Sequence, residues 1–133
     1  MTELLEPWRR CWRDAVAPLL SDAALAVLAR ALASDDPTLV QGQTVLPLFP
    51  CPADWPAEGA CLLGYCGWRG EGLRSVGEIH DYFGDMCGGI DALLHEVGGC
   101  RHLLVAYDGW PREEMLRQLL PEVEREQARR KTS

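Results

Sequence analysis

The chain has 133 residues, 47% of them hydrophobic and 25% charged. That is the size of one domain and the composition of a globular chain, which excludes a disordered one. No apolar run is long enough to cross a bilayer as a helix. The net charge of −7 leaves no basic face for a nucleic-acid backbone, and residues 75–99 carry five acids and no base.

Residues 3–17 predict a helix, because Leu4, Trp8, Cys11, Trp12, Ala15 and Leu19 share one stripe opposite Glu6, Arg10, Arg13 and Asp14. Pro7 falls in the tolerant first turns, and Pro18 should end or kink the helix. Ser21 is an expected N-cap with Asp22 in the first turn. Ala24, Leu25, Leu28, Ala31 and Leu32 then give a second helix over 22–34, stopped by Ser34-Asp35-Asp36-Pro37. Together the two predict a helical hairpin over 3–34.

Residues 37–56 contain Pro37, Pro47, Pro50, Pro52 and Pro56, which forbid a regular helix and remove donors that a central strand needs. A short edge strand over Leu39–Leu46 is the most order this arm should hold. Yet Val45, Leu46, Leu48, Phe49 and Trp55 are too apolar for a solvated linker. The arm either covers the protein's own core or is a docking surface for another protein, and Leu46, Phe49 and Trp55 are its expected anchors. Pro47-Leu48-Phe49-Pro50 also has the spacing of a polyproline ligand.

Pro56 is placed to open a helix running to about Trp68, with Ala60, Gly64 and Gly67 as a small-residue side that another backbone can approach. Gly67, Gly70 and Gly72 then mark a turn. Ser75-Val76-Gly77-Glu78 is a capping box. Val76, Ile79, Phe83, Met86, Ile90, Leu93, Leu94 and Val97 form a core-facing stripe, with Glu78, Asp81, Asp85 and Glu96 on the far side. A helix over 76–97 follows, stopped by Gly98-Gly99, with a bend or π-bulge near 87–89. Residues 103–107, LLVAY, fit a buried strand or a helical turn equally. Pro111 opens a last helix with Glu113 and Glu114 in its first turn and Met115, Leu116, Leu119, Leu120 and Val123 facing inward. Pro121, on the opposite side, should kink it. Arg129-Arg130-Lys131 reads as a frayed, solvated end.

The expected fold is one mainly α domain over 1–133 with four to five helices. It divides into the hairpin 3–34, an irregular Pro-rich arm 37–56, a C-terminal helical bundle 57–128 and a frayed tail 129–133. Pairing of 103–107 with 39–46 would add at most a minor two-stranded β component.

Six cysteines, Cys11, Cys51, Cys61, Cys66, Cys87 and Cys100, raise three chemistries. A disulfide framework is disfavoured, because the N-terminal MTELLEPWRR lacks the apolar stretch of an export signal. Reduced cysteines and a cytoplasmic location are expected. Cys66, flanked by glycine and followed by His80, His95, His102 and Asp108, has the parts of a nucleophilic site, but it falls near a helix C-terminus, where the dipole opposes a thiolate. The pairs Cys61/Cys66, His80/Cys87 and Cys100/His102 lack the tight paired spacing of a zinc site. Glu78, Asp81 and Asp85 share a face that could hold a divalent ion, or is simply solvated. Amine chemistry would rest on Lys131 alone, the other twelve bases being Arg. No phosphate-binding glycine loop, dinucleotide fingerprint or nucleophile elbow is present.

The resulting expectation is a small soluble, non-enzymatic protein-binding module, an adaptor or a subunit, without a cofactor or metal. Its partner would be another protein, with neither nucleic acid nor membrane involved. The rival is a metal- or thiol-dependent enzyme using Cys66, Cys87 and Cys100 with His80 and His102.

Overall fold

A computed structural model describes residues 2–48 and 50–132, with side chains from residue 7 onward. The described chain is mainly helical, with six α-helices and one small antiparallel sheet. Helix α1 (Thr2–Cys11) passes into a π-helical turn, Trp12–Val16, and a 3-10 turn, Ala17–Leu19. The widening lies directly before Pro18, where the missing N–H interrupts the α ladder, and Ala17 N–H instead reaches back to the Trp12 carbonyl. Trp8, Cys11, Trp12, Ala15 and Val16 are buried along this stripe.

Helix α2 (Asp22–Ser34) begins as expected, the Ser21 hydroxyl accepting the Ala24 N–H at 3.0 Å. The two legs of the expected hairpin take different main neighbours. Helix α1 packs on α5 (Arg101–Gly109), whereas α2 packs on α6 (Arg112–Lys131) and on the turn Cys66–Gly70.

The sheet pairs β1 (Val45–Leu46) with β2 (Gly59–Ala60), Val45 opposite Ala60 and Leu46 opposite Gly59. This corrects two expectations. Residues 103–107 are not the partner strand but part of α5, burying Leu103 and Tyr107 one turn apart. The helix predicted from Pro56 starts later, because the backbone of 59–60 is claimed by the arm. Helix α3 (Leu62–Tyr65) is capped by Cys61, whose Sγ accepts the Gly64 N–H at 3.5 Å, and it widens into a π turn, Cys66–Gly70. The small residues do permit close backbone approach. A Cβ on Gly64 would lie 2.6 Å from the Thr44 carbonyl oxygen, and one on Gly70 would lie 2.6 Å from the Ala24 Cα.

Helix α4 (Val76–Leu94) carries the predicted capping box. The Glu78 N–H donates to Ser75 Oγ at 3.2 Å and the Ser75 N–H to Glu78 Oε1 at 3.1 Å. It ends three residues earlier than predicted, at a left-handed His95 with φ of 54°. The cause is Asp91, whose carboxylate accepts the Gly98 and Cys100 N–H groups, each at 2.9 Å, and folds the chain back over the last turn. Val97 is thereby left 97% exposed rather than in the core.

No bulge forms at 87–89. Gly89 packs against the Leu19 side chain, whereas Gly84 and Gly88 face open space. Gly84→Ala and Gly88→Ala are each expected to raise the unfolding free energy by up to about 1 kcal/mol, since each gains helix propensity without a clash. Urea denaturation checks this, and a lowered midpoint would contradict it.

Helix α6 runs unbroken through the exposed Pro121, with Pro111 at its N-cap. Its basic end is not frayed. Glu126 is 4% exposed, and a buried carboxylate requires cations. Arg129 and Arg130 grip it at 2.7 and 2.8 Å, and Arg130 also reaches Asp22 and the Ala17 carbonyl, both at 2.8 Å. One turn earlier, buried Glu122 accepts two hydrogen bonds from Arg13 at 2.9 and 2.8 Å. The Arg129 and Arg130 hydrogen bonds hold the Glu126 carboxyl down at about 2, against burial. Because the folded value lies below the unfolded one, this stabilisation is complete above about pH 4.5 and is lost as pH falls towards 2. Glu126→Gln should remove about 1–2 kcal/mol of pH-dependent stability across that window, Arg129 being too exposed for the full shift to count. Unchanged acid sensitivity in urea melts run from pH 5 to 2 would contradict this.

Candidate functional site

The arm is irregular in shape but engaged at several points through its backbone. Its distal part closes the N-terminus of α4, where the first amides lack intrahelical acceptors. The Val76 N–H donates to the Trp55 carbonyl at 2.9 Å and the Gly77 N–H to the Ala53 carbonyl at 2.8 Å. The Ala57 N–H returns to the Arg74 carbonyl at 2.9 Å, and the Trp55 N–H closes a turn onto the Pro52 carbonyl at 3.1 Å. The proximal part is knitted to 58–61 by Glu58 to Leu46, Ala60 to Thr38 and Cys61 to Thr44, at 2.8 to 3.1 Å.

Side chains from the corner between α5 and α6 hold the arm's root. The Tyr107 hydroxyl donates to the Val40 carbonyl at 2.7 Å. The Gln41 amide donates to the Tyr107 and Trp110 carbonyls at 2.7 and 2.9 Å. Arg112 spreads over Asp35 Oδ1 and the carbonyls of Leu39 and Asp36.

So fixed, the arm has two faces. Val45 is buried with Val76 and Ile79, and Cys51, Ala57, Trp68 and Leu73 pack against that cluster. On the outside, Trp55 is 50% and Leu48 51% exposed, and Pro50, Pro52 and Pro56 are exposed as well. Of the three expected anchors, Leu46 is half-buried in β1, Trp55 is exposed, and Phe49 lies outside the described residues. Residue type alone does not mark Leu48 as an anchor, because its exposure depends on how the arm turns.

The residues of the thiol or metal rival do not converge on one site: Cys87 and Cys100 are near each other, but Cys66 lies buried in the core and His80 is exposed on the outside of α4. Cys66 is wholly buried and burial raises its pKa, as burial also pushes Cys61 to about 11 and Cys87 to about 12. These groups are thiols at neutral pH, not nucleophilic thiolates. His80 is exposed on α4, while His102 Nε2 lies 3.0 Å from Glu96 Oε2. Among the described residues no group of three or more His, Cys, Asp or Glu is arranged to hold a metal ion. Glu78 is committed to the capping box, and Asp81 and Asp85 are exposed on the outer side of α4.

One further concavity went unforeseen. A groove of about 810 Å³ lies between α1, α5 and the start of α6, with Trp8, His102, Val105, Trp110 and Gln118 on its walls. Trp8 and Trp110 meet edge to face at 5.1 Å between centroids, and Val105 is 71% exposed. A helical reading of 103–107 would have found it, since burying Leu103 and Tyr107 turns Val105 outward. Among the described residues no helix is long and apolar enough to cross a membrane.

In comparisons with known proteins, no family model matches the chain, and no curated protein or solved structure is significantly similar to it.

Proposed function

We propose that the chain is a non-enzymatic protein-binding module that docks through the outer face of its arm, with Trp55 as the principal anchor and Leu48 as a second contact. The observation that carries this reading is a half-exposed tryptophan on backbone already fixed to the N-terminus of a long helix. Exposing such a ring is unfavourable unless something covers it, and tryptophan is over-represented among residues that dominate interface energies. The fixed backbone means that little ordering remains to oppose binding. The first turns of α4, next to the arm, expose Glu78 and Asp81. The partner this face fits is therefore a protein with an apolar pocket and a basic rim. Six cysteines without a disulfide support a reducing compartment such as the cytoplasm.

The test is co-purification of the full chain from its native cell, followed by affinity measurement with the recovered partner. Trp55→Asp should leave the thermal midpoint unchanged and weaken binding by at least about 30-fold, the loss of one hot-spot residue. Val105→Arg, in the groove, should bind like the wild type. Retained affinity in Trp55→Asp, or loss confined to Val105→Arg, would overturn the proposal.

A further inference from the structure

Cys87 lies on α4 and Cys100 stands at the N-cap of α5, yet the chain brings them together by a specific route. Asp91 stands one turn beyond Cys87 on the same face of α4. Its carboxylate holds the backbone N–H of Cys100 at 2.9 Å, together with that of Gly98, so the start of α5 is fastened to the turn that carries Cys87. This places the two thiols close enough that each raises or lowers the other's proton affinity, and the Asp91 charge acts on both. Both cysteines are half-buried, packed on the main core but open on one side to a small reagent. A third thiol, Cys11, points to the same junction and donates to the Gly99 carbonyl at 3.9 Å, but it is only 1% exposed.

We propose that Cys87 and Cys100 are a reversible dithiol–disulfide pair, oxidised by exchange with a low-molecular-weight disulfide. One thiol loses its proton, and its sulfur attacks the small disulfide, forming a mixed disulfide and releasing one thiolate that takes up that proton. The second protein sulfur then attacks the first, forming the Cys87–Cys100 bond and releasing the other small thiol with the second proton. Two protein thiols are oxidised and one small disulfide is reduced to two thiols. The sulfurs must close to about 2.05 Å. That movement would fall on the turn over 95–100, which lies between the helices and is held to α4 by the Asp91 carboxylate; its other side-chain bonds run to Arg101, His102 and Cys11. The bond would lock the start of α5, and with it the His102 wall of the groove, onto α4. Burial and neighbouring groups keep both thiols protonated at neutral pH, so the exchange is slow and is followed over hours at about pH 8.5.

The experiment incubates the full chain with oxidised glutathione, counts thiols by alkylation in denaturant, and maps linked peptides by mass spectrometry. The expected result is a fall from six labelled cysteines to four, a Cys87–Cys100 linked peptide, and full reversal by dithiothreitol. Cys51→Ser should form the same link, whereas Cys87→Ser should stop at a glutathione adduct on Cys100. Six labels throughout, a link from Cys11 to Cys100, or an adduct on Cys51 as the sole product would each overturn the proposal.

Discussion

Gly70→Ala is expected to lower the unfolding free energy by about 3 kcal/mol, the upper part of the range for overpacking a tight contact. The added Cβ would lie 2.6 Å from the Ala24 Cα and 3.0 Å from its Cβ, so the first turn of α2 must move. That turn has little freedom. Ala24 is fully buried, its N–H is held by Ser21 Oγ, and the Ser21 hydroxyl in turn donates to Glu71 Oε2 at 2.5 Å. The opposite sign is expected for the same substitution at Gly84 or Gly88, where the new methyl meets nothing. Urea unfolding of the three variants in parallel separates helix propensity from packing. A Gly70→Ala loss below about 1 kcal/mol would mean that the contact between α2 and the Cys66–Gly70 turn is looser than described.

Arg112→Ala should cost a similar amount, about 3 kcal/mol, for a different reason. Its guanidinium donates to Asp35 Oδ1 at 2.8 Å, the Leu39 carbonyl at 2.5 Å and the Asp36 carbonyl at 2.7 Å. Hydrogen bonds to a charged donor contribute about 1.5–3 kcal/mol each, reduced here because the side chain is about a third exposed. Removing it leaves two partly buried carbonyls without this donor at the root of the arm. Arg112→Lys should not restore the loss, since an ammonium cannot span three acceptors in the same fork. Full recovery in Arg112→Lys would show that charge alone, and not the fork, holds the arm.

Much of the helical framework is local and can be read from the chain. Ser21 and Ser75 cap where their side-chain chemistry says they should, and the periodic stripes of 22–34, 76–90 and 115–123 face inward. The misreadings share one physical cause, competition from partners that the local pattern does not reveal. Pro56 is a sound local start signal, but β1, at Val45–Leu46, takes the backbone of 59–60. Gly98-Gly99 is a sound stop signal, but the Asp91 carboxylate ends α4 before it is reached. The basic end of α6 looks solvated until Glu126 and Asp22 are known to face it. The contribution of Arg112 has no local signature at all, because its acceptors lie more than seventy residues earlier.

The arm shows the same limit for the candidate site. Five prolines announce that 37–56 cannot be a regular element, and its apolar residues that it is not a linker. Whether such a segment covers or presents is decided residue by residue. Val45 turns inward onto Val76 and Ile79, and Trp55 turns outward although its carbonyl caps the same helix.

The most direct measurement of that presentation is photocrosslinking from position 55 in the native cell, with a photoreactive phenylalanine analogue in place of Trp55 and a matched variant at position 105. The account predicts that position 55 captures one protein, that this protein when purified binds the wild-type chain in a 1:1 complex, and that position 105 does not capture it. Capture from position 105 alone, or none from position 55 while the variant remains folded, would contradict it.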